Sequence, residues 1–288
     1  MTTSTMPART SRVTTFSVAT ELRRQASRPR TRIALAFMVA LPLIILGAFE
    51  FGGGNGDDDG GGGGAFSSLV DVATAGGANF ALFTLLVSSS FLLVVVFALF
   101  FGDTIASEAS WGSLRYLLAI PVPRARLLGV KATVSVIYAA LALVLLVGTA
   151  LLAGTFRYGW NPLRSTIADQ LSAGEALGRI SAATGYIGLT LLVVGALAFL
   201  LSVSTDAPLG AVGGAVLLQI VSSILDQIEA LGAIRDYLPT HYNDAWVGLL
   251  STPVQVDTMV RGAISALLYA TLFFGLAFWR FLRKDIVS

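Results

Sequence analysis

Phe80–Phe101, FALFTLLVSSSFLLVVVFALFF, has no charged residue anywhere along it. Coiled into a helix at about 1.5 Å per residue, it is long enough to cross roughly 30 Å of hydrocarbon. Gly102–Lys131 follows at once, GDTIASEASWGSLRYLLAIPVPRARLLGVK, a charged and helix-capable island. A second apolar run begins within its end, so the island joins two membrane-crossing stretches.

The rest of the chain repeats this pattern. Of 288 residues, 55% are hydrophobic and 12% charged, and the mean hydropathy is +0.78. A soluble domain carries about 25% charged residues. Six spans are predicted, at about 33–51, 80–101, 127–153, 180–203, 209–225 and 262–279. The runs are continuous rather than alternating, which disfavours a membrane barrel. The expected fold is an all-α polytopic membrane protein, with residues 33–288 as a six-helix transmembrane domain after a basic segment, 1–32. No cleavable leader is expected there, because about thirty polar and basic residues precede the first apolar run.

Basic residues set the expected orientation. Arg9, Arg12, Arg23, Arg24, Arg28, Arg30 and Arg32 precede the first span, Arg115, Arg124, Arg126 and Lys131 belong to the island, and Arg280, Arg283 and Lys284 end the chain. Six spans bring all three groups to one side, which the positive-inside rule assigns to the cytoplasm together with both termini. Phe16, Ala19, Leu22 and Ala26 recur at helical spacing among the N-terminal arginines, as in an amphipathic helix lying on the inner leaflet up to Pro29. On the other side, Gly52–Asn79 contains GGGNGDDDGGGGG and reads as a solvated linker; its aspartates lack the spacing of an EF-hand. Ser172 and Glu175 fit a capping box, and the helix they start is long enough to bend near Gly178 or Gly185. Asp226–Arg261, with YLPTHYNDAW, is too polar to span and is expected to pack over the outer mouth.

Several chemistries are excluded. There is no cysteine, a single histidine (His241), and no glycine loop ending in Lys-Ser/Thr that would cradle a nucleotide phosphate. Catalysis, a resident cofactor and a metal centre are therefore not expected in this chain, nor is nucleic-acid binding. No charged residue falls in the middle of a predicted span, which disfavours an ion-coupled carrier and favours amphipathic cargo. Ser89, Tyr138 and Gln219 are the candidate substrate path. Glu50 and Arg261, at similar depth near the outer face, are a candidate gate. Gly210 and Gly214 permit close approach of another helix, within the subunit or across a dimer seam.

In the island, Asp103 and Thr104 can cap a helix over about 103–120 that presents Ile105, Trp111, Leu114, Leu117 and Leu118. Pro121 and Pro123 stop it. The run Glu108-x-x-x-Gly112-Ser113-Leu114-Arg115-x-Leu117-Leu118-x-x-Pro121-x-x-Arg124-x-x-Leu127-Leu128-x-x-Lys131 resembles the signature of ABC-2 type transporter permeases. Ser113 stands where that family commonly has Thr. A Leu-Pro-x-x-Tyr element (Leu238, Pro239, Tyr242) extends the resemblance. It implies the membrane subunit of an ATP-binding cassette exporter in a bacterial cytoplasmic membrane, paired with a second permease and two separate ATPase subunits that bind ATP and Mg. It also implies a coupling helix, with Asp103, Glu108, Trp111, Gly112, Arg115 and Arg124 at the ATPase contact. A channel or carrier working without ATP, and an anchor for another cytosolic partner, are the alternatives.

Overall fold

The computed structural model describes residues 17–52, 64–110, 123–164 and 172–283. Among them it is all helical, and six helices are long and apolar enough to cross a membrane. The Ser17 hydroxyl accepts from the Thr20 amide at 3.2 Å and starts α1 (Val18–Ser27). Pro29, whose ring fixes a helical φ and whose missing N–H is not needed in a first turn, starts α2 (Pro29–Gly52). After α3 (Gly64–Ala73) come α4 (Gly77–Ser89) and α5 (Leu92–Ser110). The remaining helices are α6 (Arg124–Tyr158), α7 (Ala173–Ser204), α8 (Pro208–Asp226) and α9 (Asp257–Arg283). Two 3₁₀ segments, Glu229–Tyr237 and Ala245–Leu250, lie between α8 and α9.

The uncharged run Phe80–Phe101 is not one helix. It breaks at Ser90–Phe91, so the predicted second span divides into the short α4 and the membrane-length α5. Ser88 and Ser89 precede the break and Ser90 lies in it, and the Ser89 hydroxyl donates to the Leu86 carbonyl at 3.0 Å. Serine side chains compete for backbone groups in this way and weaken a helix that hydropathy alone would continue. The island is redrawn as well. Asp103 and Thr104 do not cap a new helix; they lie inside α5, which continues to Ser110. Residues 111–122 lie outside the described residues.

The opposite correction applies to α7. Ser172 caps the helix, with the Glu175 amide donating to its hydroxyl at 3.4 Å and that hydroxyl donating to the Glu175 carboxylate at 3.1 Å. The helix then runs through Gly178 and Gly185 without interruption for 32 residues. Helix α6 is longer still, at 35 residues.

Helices α5 and α7 are the most enclosed and pack along each other. Helix α8 lies against both, α9 against α7, α4 against α6, and α2 on the outside of α6. Close crossings use small residues, as membrane helix pairs do where side chains would hold backbones apart. A Cβ on Gly77 would stand 2.6 Å from the Thr155 amide nitrogen, and one on Gly154 would stand 2.8 Å from the Phe80 Cβ. Gly159 ends α6 at φ 79°, a left-handed turn that glycine adopts readily, and its carbonyl accepts from the Gly77 amide at 3.0 Å. Gly214 faces Leu201 of α7, so this glycine serves packing within the subunit.

The polar segment between α8 and α9 caps the far end of the bundle. Trp246 and Leu249 are buried, and Arg179 at the start of α7 donates to the Leu249 and Ser251 carbonyls at 2.6 and 3.1 Å. The Tyr186 hydroxyl reaches the Tyr242 carbonyl at 2.7 Å, which ties the Leu-Pro-x-x-Tyr element to α7.

Candidate functional site

Charged and polar side chains gather at the two ends of the bundle in different ways. At the basic end, α1 docks on α6 through a polar face, burying Glu21 and Gln25 and leaving Ala19 and Ala26 exposed. Lys131 and Glu108 have no exposed surface. Lys131 Nζ donates to Glu108 Oε1 at 2.7 Å and to Glu21 Oε1 at 3.0 Å. Arg24 Nη1 reaches the same Glu108 oxygen at 2.9 Å. Asp103, one turn earlier on α5, pairs with Arg30 and stands 3.4 Å from Arg28 Nη1.

Three carboxylates and four cations thus clasp α1, the start of α2, the end of α5 and the start of α6. Charges removed from water are tolerated only when paired and hydrogen-bonded, and here each carboxylate touches at least two cations. Glu108, expected on a partner-facing surface, is instead enclosed and binds this chain's own Lys131. Asp103 is interior for the same reason. Both hold helices in place. Arg124 opens α6 and is half-buried. Trp111, Gly112 and Arg115 lie outside the described residues.

Tyr138 belongs with this end rather than with the substrate path. Its hydroxyl donates to the Leu22 carbonyl of α1 at 2.8 Å, which adds a tether to the clasp.

Ser89 and Gln219 are brought together. With Ser90, Thr190, Ser223 and Asp226 they line a cavity of about 220 Å³ between the α4–α5 break, α7 and α8. His241, Asn243 and Asp244 from the capping segment close its outer side. Thr190 and Gln219 lie well inside their helices, so polar surface extends from the far end toward the middle of the bundle. Gln219 is buried, and its amide offers both donors and an acceptor to the cavity.

His241 stands outside the site candidates drawn from the sequence. Its Nδ1 lies 2.6 Å from Asp226 Oδ1 and its Nε2 lies 3.3 Å from Asp236 Oδ1, so one imidazole bridges two carboxylates. Asp226 ends α8 and His241 lies 15 residues later; no short motif announces a pair that depends on the cap folding back. The gate expected between Glu50 and Arg261 does not form. Glu50 Oε2 accepts from Arg157 Nη2 at 2.7 Å, at the end of α6. Arg261 lies instead on a separate groove along α9.

This geometry defines a multi-pass helical membrane protein with a buried ion clasp at one end and a polar cavity opening toward the other. Residues 62–287 match the family described as Protein of unknown function (DUF2705), and the chain belongs to that family. No curated protein matches the chain.

Proposed function

We propose that this chain is the permease subunit of an ATP-binding cassette exporter. Both termini and the island face the cytoplasm of a bacterial plasma membrane. A second permease completes the pathway, and two separate ATPase subunits supply ATP and Mg chemistry. The cargo is hydrophobic or amphipathic, and its polar part is received by Ser89, Gln219 and Thr190.

The observation that carries this reading is α5. It is one unbroken helix whose basic end leads into the island and whose other end is the break at Ser90–Phe91, on the wall of the polar cavity. The ion clasp holds the basic end to α1 and α6, so a push on the island is delivered along α5 instead of being lost in loose helix ends. Helix breaks at membrane depth are tolerated where they line a cavity, and transporters place binding sites at such breaks. With Glu108 and Asp103 enclosed, the ATPase contact falls to Trp111, Gly112 and Arg115, with Arg124 beside them.

The test is to establish whether a cassette ATPase is encoded beside this chain, co-express the two full chains, and measure co-purification and ATP-dependent transport in inverted vesicles. Trp111→Ala and Arg115→Ala should each weaken the complex while leaving the thermal unfolding of the isolated permease unchanged. Intact complex and transport in both would overturn the docking assignment. The bridged His241 supports a second reading, a secondary carrier working without ATP, because it places an imidazole held by two carboxylates on the cavity wall. Transport that persists without ATP would favour it.

A further inference from the structure

Arg261 is exposed on the second turn of α9, and no described residue stands within ion-pair distance of it. Below it, Ile264, Leu268 and Leu272 recur every four residues and form one stripe along the membrane-crossing part of the helix. Tyr237 and Tyr242, from the capping segment, make the other wall. The Tyr269 hydroxyl donates to the Tyr237 carbonyl, which fixes one wall to the other. Together these residues enclose a groove of about 390 Å³, separate from the polar cavity, open sideways toward the lipid and overwhelmingly apolar. The stripe from Ile264 to Leu272 is about 12 Å long at helical rise. Asp236 shares the rim with Arg261, and its carboxylate is mostly exposed apart from its contact with His241.

We propose that this groove binds one membrane phospholipid with a zwitterionic, amine-bearing headgroup. An acyl chain lies along Ile264, Leu268 and Leu272, Arg261 holds the phosphate, and Asp236 holds the ammonium. The depth suits this arrangement. Arg261 lies about 6 Å from the start of α9, at the level where arginine reaches lipid phosphates while its stem stays on apolar surface. The charge pattern selects the headgroup. A single arginine alone would prefer an anionic lipid, whereas an aspartate on the same rim repels net negative charge and matches a primary ammonium. The binding needs neither an ATPase nor a cargo, so it stands or falls apart from the transport assignment.

The test is native mass spectrometry of the full chain released from nanodiscs of equimolar phosphatidylethanolamine and phosphatidylglycerol. The wild-type chain should retain one phosphatidylethanolamine in preference to phosphatidylglycerol. Arg261→Gln should lower that retention by about tenfold, the size of one charge-assisted hydrogen bond, and Arg261→Lys should restore most of it. Asp236→Asn leaves the arginine alone on the rim and should turn the preference towards phosphatidylglycerol, and Leu268→Trp, which fills the groove, should remove retention of both lipids. Thermal unfolding of each variant is measured alongside, so loss of lipid at a wild-type melting temperature reports the groove, and the changed ratio in Asp236→Asn cannot come from partial unfolding. Equal or greater retention of phosphatidylglycerol by the wild type overturns the proposal. So does retention by Arg261→Gln that matches the wild type, or retention of neither lipid by the wild-type chain.

Discussion

At the basic end, Lys131 is sealed from solvent and its ammonium touches two carboxylates. At the far end, His241 touches two carboxylates too, yet it lines an open cavity. Similar chemistry therefore has different consequences in the two places. At the centre of the clasp, Lys131, Glu108 and Glu21 depend on one another because water cannot replace a lost partner, so the helices they join are held together. In the cavity, water or a ligand can substitute for a lost contact. The first end is a closed joint between helices, and the second is open to water and ligands.

The sharpest way to break that comparison is to remove one member of the clasp. Lys131→Met leaves Glu108 and Glu21 as buried carboxylates facing fewer cations. Breaking a buried pair in this way costs about 3–5 kcal/mol. Thermal unfolding in detergent should show a large loss, and protease should release α1 sooner than in the wild type. Glu108→Gln should also destabilise, and in the double variant the two losses should fall well short of adding, as expected for contacting groups. Additive losses would mean that the clasp is not a single unit.

A smaller effect is expected where α4 crosses α6. Gly77→Ala places a methyl carbon against the Thr155 backbone, which cannot yield as a side-chain tip can. Overpacking of this kind costs about 1–3 kcal/mol. Unfolding measured against Gly148→Ala, where nothing lies within 4 Å, isolates the steric term. Equal stability of the two variants would show that α4 shifts freely on α6, contrary to a rigid frame around the cavity.

What the sequence made legible follows from the range of each signal. Six spans were readable because apolar runs such as Val134–Leu146 carry their own evidence, residue by residue. The break at Ser90 was hidden because serine hydroxyls count little against the surrounding phenylalanines and leucines, whereas their bonds to the backbone decide the helix. Lys131 read as an interfacial cation and Glu108 as a docking carboxylate. Their burial arises from each other and from Glu21 on a helix more than a hundred residues away in sequence. His241 was invisible for the same reason, since its partner Asp226 closes on it only through the cap. Ser89 and Gln219 stood out because polar side chains in apolar runs are conspicuous, and both line the cavity.

For the cavity, Gln219→Leu keeps the volume nearly constant and removes the amide. Stability should change little, since the cavity side of Gln219 is not bonded to any described residue. Transport of an amphipathic cargo should fall by about tenfold, the worth of one to two hydrogen bonds to a buried polar group. Wild-type transport would move the substrate path elsewhere in the bundle and leave the cavity as a packing defect under the cap.

The smallest effect belongs to Glu50, and it tests whether every ion pair at the far end is replaceable. Its bond to Arg157 joins α2 to the end of α6, and both side chains are in reach of solvent. Water and headgroups can solvate either one alone, so Glu50→Gln should leave the melting temperature within experimental error. It should leave transport unchanged as well, because Arg261, the residue a gate would need, lies on the lipid groove instead. Salt sharpens the result, since an exposed pair is screened and a buried one is not. Raising ionic strength should erase any residual difference between Glu50→Gln and the wild type, while the Lys131→Met defect persists. A transport defect in Glu50→Gln that survives high salt would mean that the far end also contains a protected charge pair, and that the two ends differ in degree rather than in kind.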